Sequence, residues 1–202
     1  MKNTFNGWAN IGTYDINTIS NLIVTGRLVK EAVADVWLFK YIGDTKRSLN
    51  ILDFGCGMGR NTFQLGMMNP NWTIVGYDNE AMLEKTNIYH NIHYSNPLPN
   101  NVIFSSDWES IKSQKFDCIF CCLVLQHIYE NTLKTYIFDF KQMSSKLVVA
   151  GRRFNDDVGN RSTWKILEEC GLTPFKFLNG DTEIDFISEG PPEDHHLAIY
   201  TL

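Results

Sequence analysis

Residues 51–60 read ILDFGCGMGR, an apolar run that leads into three glycines at alternate positions. The apolar part, residues 49–54, is short and is followed by a glycine-rich turn, which is typical of a buried strand. Glycines permit a tight turn and close approach of a ligand to the backbone, and a following helix offers unpaired N–H groups. The stretch therefore predicts a strand, a turn and a helix that together receive a nucleotide-like ligand.

The rest of the chain alternates short β-rich runs with helical ones, which is typical of an α/β fold. Further strands are predicted at Thr73–Tyr77, Val102–Ser105, Phe116–Leu123, Lys146–Gly151, Phe175–Leu178 and His196–Thr201. Helices are predicted at Glu80–His90, Tyr129–Met143 and Ser162–Cys170. No helix separates the last two strands, and such strands usually pair antiparallel. We expect seven strands in an otherwise parallel sheet with an antiparallel end.

The length of 202 residues fits one domain, so we expect residues 1–202 to form a single unit. Apolar residues recur at helical spacing from Asp15 to Tyr41 without proline, which predicts one long helix or two joined near Gly26. Residues 1–48 are thus predicted to form a helical cap on an α/β core of residues 49–202.

Composition excludes several classes of protein. The net charge is −5 and no long basic run is present, so nucleic acid is not expected as a partner. The longest apolar run, Cys118 to Leu125, is far shorter than the roughly 20 residues that cross a bilayer, so no membrane partner is expected. The first ten residues lack the apolar stretch of a signal peptide, and the five cysteines form no disulfide pattern. We therefore expect reduced thiols and a cytoplasmic location.

Asp78 follows the second predicted strand and lies 19 residues after Gly59. A doubly wound fold places there the carboxylate that accepts ribose hydroxyls, although a cap on the next helix is the alternative. A dinucleotide fingerprint would need glycine where this chain has Arg60. Asp53, two residues before the first glycine, would also oppose a pyrophosphate, whereas a cationic ligand tolerates it.

Asp53–Gly59 together with Asp78 resembles the S-adenosylmethionine (SAM) site of the class I methyltransferases. The order of elements over residues 50–202 agrees with that family. The resemblance implies a Rossmann-like, doubly wound sheet whose last strand is inserted antiparallel. It implies SAM as cofactor and S-adenosylhomocysteine (SAH) as product. The cofactor-binding residues that it implies are Asp53, Gly55, Cys56, Gly57, Gly59, Asp78, Asn79, Asp107, Trp108 and Leu123.

The resemblance also assigns a part of the cofactor to each group of residues. Asp53 and the turn from Gly55 to Gly59 would hold the methionine part, Asp78 the ribose, and Asp107 with Trp108 the adenine. Asp107 has an alternative role as a helix cap, and Trp108 as an ordinary half-buried aromatic residue. Cys56 is expected to contact the cofactor through its backbone and not to act as a nucleophile.

No metal site is predicted. Cys118 and Cys121 have C-x-x-C spacing, but no second pair follows at zinc-finger spacing, and the two side chains would point to opposite faces of a strand.

The segment after the fourth strand resembles the small-molecule branch of the family, in which a Phe-Asp strand leads to an apolar turn and a histidine. Here these are Phe116–Asp117 and His127. Histidine titrates near neutral pH, so His127 is the candidate base for a substrate hydroxyl or amine, and packing beside the cofactor is the alternative. Tyr14, Arg152 and Arg153 are candidate substrate residues.

These observations favour a SAM-dependent methyltransferase that acts on an oxygen or nitrogen atom of a small molecule. The segment from Cys122 to Leu125 lacks the Pro-Pro-aromatic turn of enzymes that methylate DNA bases or protein amides. No cysteine follows a proline, as the C5-cytosine class would require. Two alternatives stay open: a SAM-binding sensor or partner subunit without transferase activity, and a nicotinamide oxidoreductase, which Arg60 disfavours.

Overall fold

The computed structural model describes residues 46–94, 97–151, 163–179, 182–183 and 196–202. The strands are β1 Asn50–Phe54, β2 Thr73–Tyr77, β3 Val102–Ser105, β4 Cys118–Cys122, β5 Lys146–Gly151, β6 Pro174–Asn179, β7 Thr182–Glu183 and β8 His196–Thr201. The helices are α1 Arg60–Met68, α2 Glu80–Leu83, α3 Thr86–His93, α4 Trp108–Lys112, α5 Glu130–Met143 and α6 Thr163–Glu169, with a 3₁₀ turn at Leu125–His127. The predicted helix from Asp15 to Tyr41 and the candidate substrate residues Tyr14, Arg152 and Arg153 lie outside the described residues.

The described strands form one sheet in the order β3-β2-β1-β4-β5-β8-β6-β7. Strands β1 to β5 are parallel, and β8 lies antiparallel between β5 and β6. The mostly parallel sheet and its antiparallel last strand are therefore confirmed. The predicted number of seven strands is wrong, because Thr182–Glu183 adds a strand that pairs with β6. Two residues are too few to show a periodicity in the sequence.

The predicted helix Glu80–His90 is divided into α2 and α3. The Thr86 hydroxyl donates to the Leu83 carbonyl at 2.8 Å, a local bond of the kind that competes with regular helix. Likewise, β4 is shorter than its predicted range of Phe116–Leu123: it begins at Cys118, and it ends at Cys122 because Leu123 turns into the left-handed region at φ 57°. Both differences arise from local conformations that apolar spacing does not reveal.

The sheet separates two apolar layers, because consecutive side chains of a strand point to opposite faces. Leu52 and Phe54 of β1 face the layer that contains α4, α5 and α6. Ile51 lies on the other face, which packs against α1. Further along that face, Phe63 of α1 packs with Tyr89 of α3. Each large side chain that is fully buried in this way stabilises the fold by roughly 1.5–3 kcal/mol.

The carboxyl ends of the central parallel strands meet at one edge of the sheet. Phe54 at the end of β1 is in register with Tyr77 of β2 and with Cys121 of β4. The chain continues from β1 to β2 and β3 on one side of β1 and then returns to form β4 on its other side, so a topological switch point lies between β1 and β4. Ligands of open α/β sheets bind outside the carboxyl ends at such a point. In the described part of the chain, no helix has both the length and the apolar character needed to cross a membrane.

Candidate functional site

The turn that follows β1 is attached to the end of β2 by its backbone. The N–H groups of Gly55 and Cys56 both donate to the Tyr77 carbonyl, at 2.8 and 3.0 Å. The Gly57 N–H donates to Asp78 Oδ2 at 2.8 Å. Three successive donors are thus used by β2 and the residue after it, which fixes the path of the turn across the edge of the sheet.

The three glycines of this turn serve different purposes, although all have positive φ angles of 60–88°. A Cβ atom on Gly55 would lie 2.4 Å from Val124 Cγ2, and one on Gly59 would lie 2.6 Å from Phe104 Cζ. At Gly57 the nearest atom is Met82 Cε, at the ordinary contact distance of 3.5 Å. Gly55 and Gly59 therefore permit close packing within the protein, whereas Gly57 leaves room for a ligand to approach the backbone.

Asp53 lies beneath the turn and is almost completely buried, with 1% of its surface exposed. The Thr62 hydroxyl of α1 donates to Asp53 Oδ2 at 2.6 Å. Burial raises the pKa of Asp53 to about 7; the Thr62 hydroxyl opposes that rise, and the nearby Asp78 carboxylate adds to it. The turn therefore rests on a carboxyl group that titrates near neutral pH.

Asp78 stands at the end of β2, where the sequence places it. Its Oδ2 accepts from the Gly57 N–H. Its Oδ1 accepts from the backbone N–H of Asn79 at 2.7 Å and from the side-chain Nδ2 of Asn79 at 2.8 Å. Burial raises the pKa of Asp78, and the backbone donors of Asn79 and Gly57 oppose the rise. A carboxylate has about four lone-pair positions, so one remains for a ligand hydroxyl. A second hydroxyl would have to replace the exposed Asn79 amide.

Asn79 Oδ1 in turn accepts from the Met82 N–H and caps α2, so this cap belongs to Asn79 and not to Asp78.

Asp107 and Trp108 follow β3 at the same edge. Asp107 is exposed, and its Oδ1 caps α4 by accepting from the Ser110 N–H at 3.2 Å, while Oδ2 has no partner among the described residues. Trp108 is half-buried against Phe54 and Tyr77, with ring centroids 5.5 and 5.0 Å away. Its indole Nε1 donates to Asp139 Oδ2 at 2.9 Å, across to α5. Capping and packing, the alternatives considered for these residues, are present in the structure and leave Asp107 Oδ2 available.

The exit from β4 lies against the glycine turn. Leu123 is the one non-glycine residue with positive φ in the described ranges, and a left-handed conformation costs a leucine roughly 1–2 kcal/mol. The next residue, Val124, covers Gly55. His127 lies in the 3₁₀ turn, 9% exposed, and its N–H donates to the Val124 carbonyl at 2.9 Å. The backbone strain is therefore localised where β4 meets the candidate site.

Cys56 is buried beside Asp53, and burial raises the pKa of its thiol well above the ordinary value. A protonated thiol is a poor nucleophile, which agrees with the predicted backbone role. Within the described residues, no group of three or more His, Cys, Asp and Glu side chains is placed to hold a metal ion.

Residues 45–146 match the family model described as a methyltransferase domain, and this range spans about half of the 202-residue chain. The chain belongs to the methyltransferase-domain family. This membership confirms the resemblance to class I methyltransferases that is carried by Asp53–Gly59 and Asp78, with SAM as the cofactor. The chain has no significant sequence match among curated proteins.

Solved structures similar to this methyltransferase agree with its fold. Magnesium protoporphyrin IX methyltransferase (ChlM) from Synechocystis PCC 6803, with bound SAM, is 18% identical with a TM-score of 0.59, and the match covers 98% of this chain and 90% of that one. A SAM-dependent methyltransferase from Aquifex aeolicus is 18% identical with a TM-score of 0.60, over 93% and 98% of the two chains. Mitomycin 7-O-methyltransferase MmcR is 12% identical with a TM-score of 0.64, over 98% of this chain and 62% of that one.

Sequence reasoning missed two side chains that shape this methyltransferase site. Thr62 donates the short hydrogen bond to Asp53, and Val124 closes over Gly55. A hydroxyl in the first turn of the helix after a buried aspartate is a usable signal for Thr62. Val124 gave no signal, because its contact depends on the left-handed backbone of Leu123.

The buried carboxyl group predicts a specific pH dependence of stability. The pKa of Asp53 is about 7 in the folded protein and about 3.8 in an unfolded chain, so the folded state binds an extra proton between these values. Its contribution to the free energy of unfolding is complete below about pH 4 and is lost as the pH rises through 7, on the order of 4 kcal/mol in total. Urea unfolding from pH 5 to 8 measures this change. The free energy of unfolding of the wild type, taken relative to that of Asp53→Asn, should fall as the pH rises. Parallel pH curves would contradict the assignment.

The glycines predict two contrasting variants. Gly59→Ala should lower the free energy of unfolding by about 2–4 kcal/mol, because its Cβ atom would overlap Phe104 and adopt a positive φ. Gly57→Ala incurs only the backbone strain, about 1 kcal/mol, yet should weaken SAH binding at least tenfold by blocking the approach to the turn. Urea unfolding and calorimetry measure the two quantities. Equal loss of stability in both variants would show that Gly57 is also a packing position.

Proposed function

We propose that this methyltransferase transfers the methyl group of SAM to an oxygen or nitrogen atom of a small molecule. The observation that carries the proposal is the open approach to Gly57 between two acidic side chains, Asp53 and Asp78, at the switch point of the sheet. This arrangement suits a ligand that is cationic at one end and carries ribose hydroxyls at the other.

The residues present fit SAM part by part. The space above Gly57 admits a close backbone contact, and Asp53 supplies negative charge below the turn. Asp78 retains one lone-pair position for a ribose hydroxyl. Asp107 retains Oδ2 for the adenine amino group, and Trp108 supplies an aromatic wall that Asp139 holds in place. We assign Cys56 to the same site because it lies between Gly55 and Gly57 in the turn, and Asn79 because it follows Asp78 at the end of β2. We assign Leu123 because it directly follows β4.

SAM, when bound, supplies a methyl group on a sulfonium that departs as a neutral thioether. Little acid–base assistance is needed for an acceptor that is already nucleophilic, so the main task of the protein is positioning. Holding the acceptor in line supplies on the order of 7–11 kcal/mol of the barrier. The strained backbone of Leu123 and the packing of Val124 on Gly55 hold the exit of β4 rigidly for this purpose.

A small acceptor is supported by three observations. The chain has a net charge of −5 and no basic run for a nucleic acid. Two of the similar structures are named for small-molecule substrates, a magnesium protoporphyrin and mitomycin. The exit of β4 carries an apolar turn and His127, which we assign as the base for an acceptor proton. Tyr14, Arg152 and Arg153 are the proposed residues of the opposite wall.

We also propose that residues 1–202 act as one domain in the cytoplasm, with the helical cap of residues 1–48 covering the acceptor. All five cysteines are free thiols, which supports a reducing compartment.

The proposal predicts thermal stabilisation by SAM and SAH but not by NAD or NADP. At a ligand concentration near 100 times its dissociation constant, binding adds roughly 2.7 kcal/mol, and the melting temperature should rise by about 5–10 °C. Asp78→Ala should weaken SAH binding by roughly 1.5–3 kcal/mol. Asp117→Ala is the matched control, since Asp117 also accepts a backbone N–H, from Asn50, but lies at the opposite edge of the sheet. A shift with nicotinamide nucleotides alone would contradict the proposal.

Activity is tested by incubating the protein with SAM labelled in the methyl group and pools of small hydroxyl and amine compounds. Label in a product confirms transfer, whereas SAH binding without transfer to any pool favours a binding protein. With an acceptor identified, His127→Asn should lower kcat by 10²–10⁴ and remove the loss of activity at low pH that protonation of the base causes in the wild type. An unchanged kcat would leave His127 with a packing role.

A further inference from the structure

The sheet ends in a strand whose outer edge is open. Among the described strands, β3 pairs only with β2 and stands at one end of the sheet. Residues 94–106, which contain β3, include no Asp, Glu, Lys or Arg. Native sheets commonly place charged side chains at their edges to prevent association, and the strand at the opposite end, β7, contains Glu183. The β3 edge therefore lacks charged protection against pairing with another chain.

The hydrogen bonds of β3 show which backbone groups face outward. The carbonyl of Asn101, just before β3, accepts from an N–H of β2 at 2.9 Å, so the backbone groups of Asn101 and Ile103 point toward β2. The groups of Val102 and Phe104 consequently point away from the sheet. The Val102 N–H is used locally, because it donates to the Pro99 carbonyl at 3.3 Å. The Val102 carbonyl and the Phe104 N–H remain for a partner.

These two groups complement each other across a two-fold axis. In an antiparallel pair, two residues can face each other without bonding while their neighbours on either side are bonded. With Ile103 on the axis, the Phe104 N–H of each copy would donate to the Val102 carbonyl of the other. The remaining bonds of a longer ladder would need the Val102 N–H, which already donates to Pro99. The edge thus supplies two symmetric hydrogen bonds to a second copy of itself.

The side chains at this edge suit the same pairing. Ile103 is 52% exposed and lies in register with Val75, on the face of the sheet that carries α4. Opposed residues that are not bonded have Cα atoms about 4.5 Å apart, so the Ile103 side chains of the two copies would pack on each other. On the other face, α3 covers the inward side chains of β3 and exposes Ile88 and Ile92, four residues apart. Both faces therefore offer apolar surface beside the open strand.

We propose that β3 is the contact surface for a second copy of this chain, which pairs with it antiparallel across a two-fold axis. A two-fold contact requires a surface that complements itself, as this edge does. Two strands of four residues pair over less than the roughly 800 Å² per partner of a standard interface, and Ile88 and Ile92 enlarge the contact. The dimer is accordingly reversible, with a dissociation constant on the order of micromolar. The inference is independent of the proposed function.

Sedimentation velocity of the full chain at roughly 1–200 µM tests association. Wild type should change from monomer to dimer over this range. Ile103→Lys should weaken association at least about tenfold, because like charges would face each other on the axis. Phe138→Lys is the matched control, since it adds the same charge at a 66% exposed position on α5 and should leave association unchanged. Equal melting temperatures at a concentration where wild type is monomeric exclude misfolding.

A disulfide tests the register of the pairing. In Ile103→Cys the two thiols would face each other across the axis at a separation that permits a disulfide. Mild oxidation should give a covalent dimer that a reductant reverses, whereas wild type and Phe138→Cys should give little. A wild type that stays monomeric over the whole range overturns the proposal. So does association that Ile103→Lys leaves intact, or the failure of Ile103→Cys to form the disulfide. SAH binding by wild type, measured separately, decides the proposed function in each case.

Discussion

The site depends on three consecutive N–H groups that fasten the glycine turn to the end of β2. Gly55 and Cys56 donate to the Tyr77 carbonyl, and Gly57 donates to the Asp78 carboxylate. A turn held in this way must pass through positive φ angles, which is why glycines alternate along it. The same bonds bring the carboxylate that follows β2 against the backbone that follows β1. The proposed ribose site and the proposed methionine site are consequently joined by backbone hydrogen bonds.

Charge is arranged around this unit so that an anionic ligand is excluded. Asp53 is buried beneath the turn and Asp78 flanks it. Burial raises the pKa of both carboxyl groups, and the Asp78 carboxylate raises the pKa of Asp53 further. A cation over the turn favours the ionised form of Asp53, so binding of a sulfonium and release of a proton are coupled. The Thr62 hydroxyl can donate to the carboxyl oxygen in either protonation state, and its hydrogen bond is stronger to the ionised form, which is why it opposes the rise in the pKa of Asp53.

The sequence predicted the parts of the site that adjacent residues determine. Asp53, the glycines and Asp78 follow from strand ends and turn chemistry, and the structure places them as expected. Trp108 was ambiguous because its environment is built by Phe54, Tyr77 and Asp139, which are distant along the chain. The short strand β7 and the break between α2 and α3 were missed because each depends on one or two residues. Periodicity carries no information at that length.

Arg60 follows the glycine turn at the position where a dinucleotide-binding fold has its third glycine. In the sequence it is the residue that breaks the dinucleotide fingerprint, since that fingerprint needs glycine where α1 begins. In the structure the close packing is instead provided one residue earlier, by Gly59 against Phe104, which frees the next position for a long side chain. A dinucleotide brings two phosphate charges to the helix end and needs backbone there. The shift of the packing glycine by one residue therefore leaves the amino end of α1 without the third glycine that a pyrophosphate site uses.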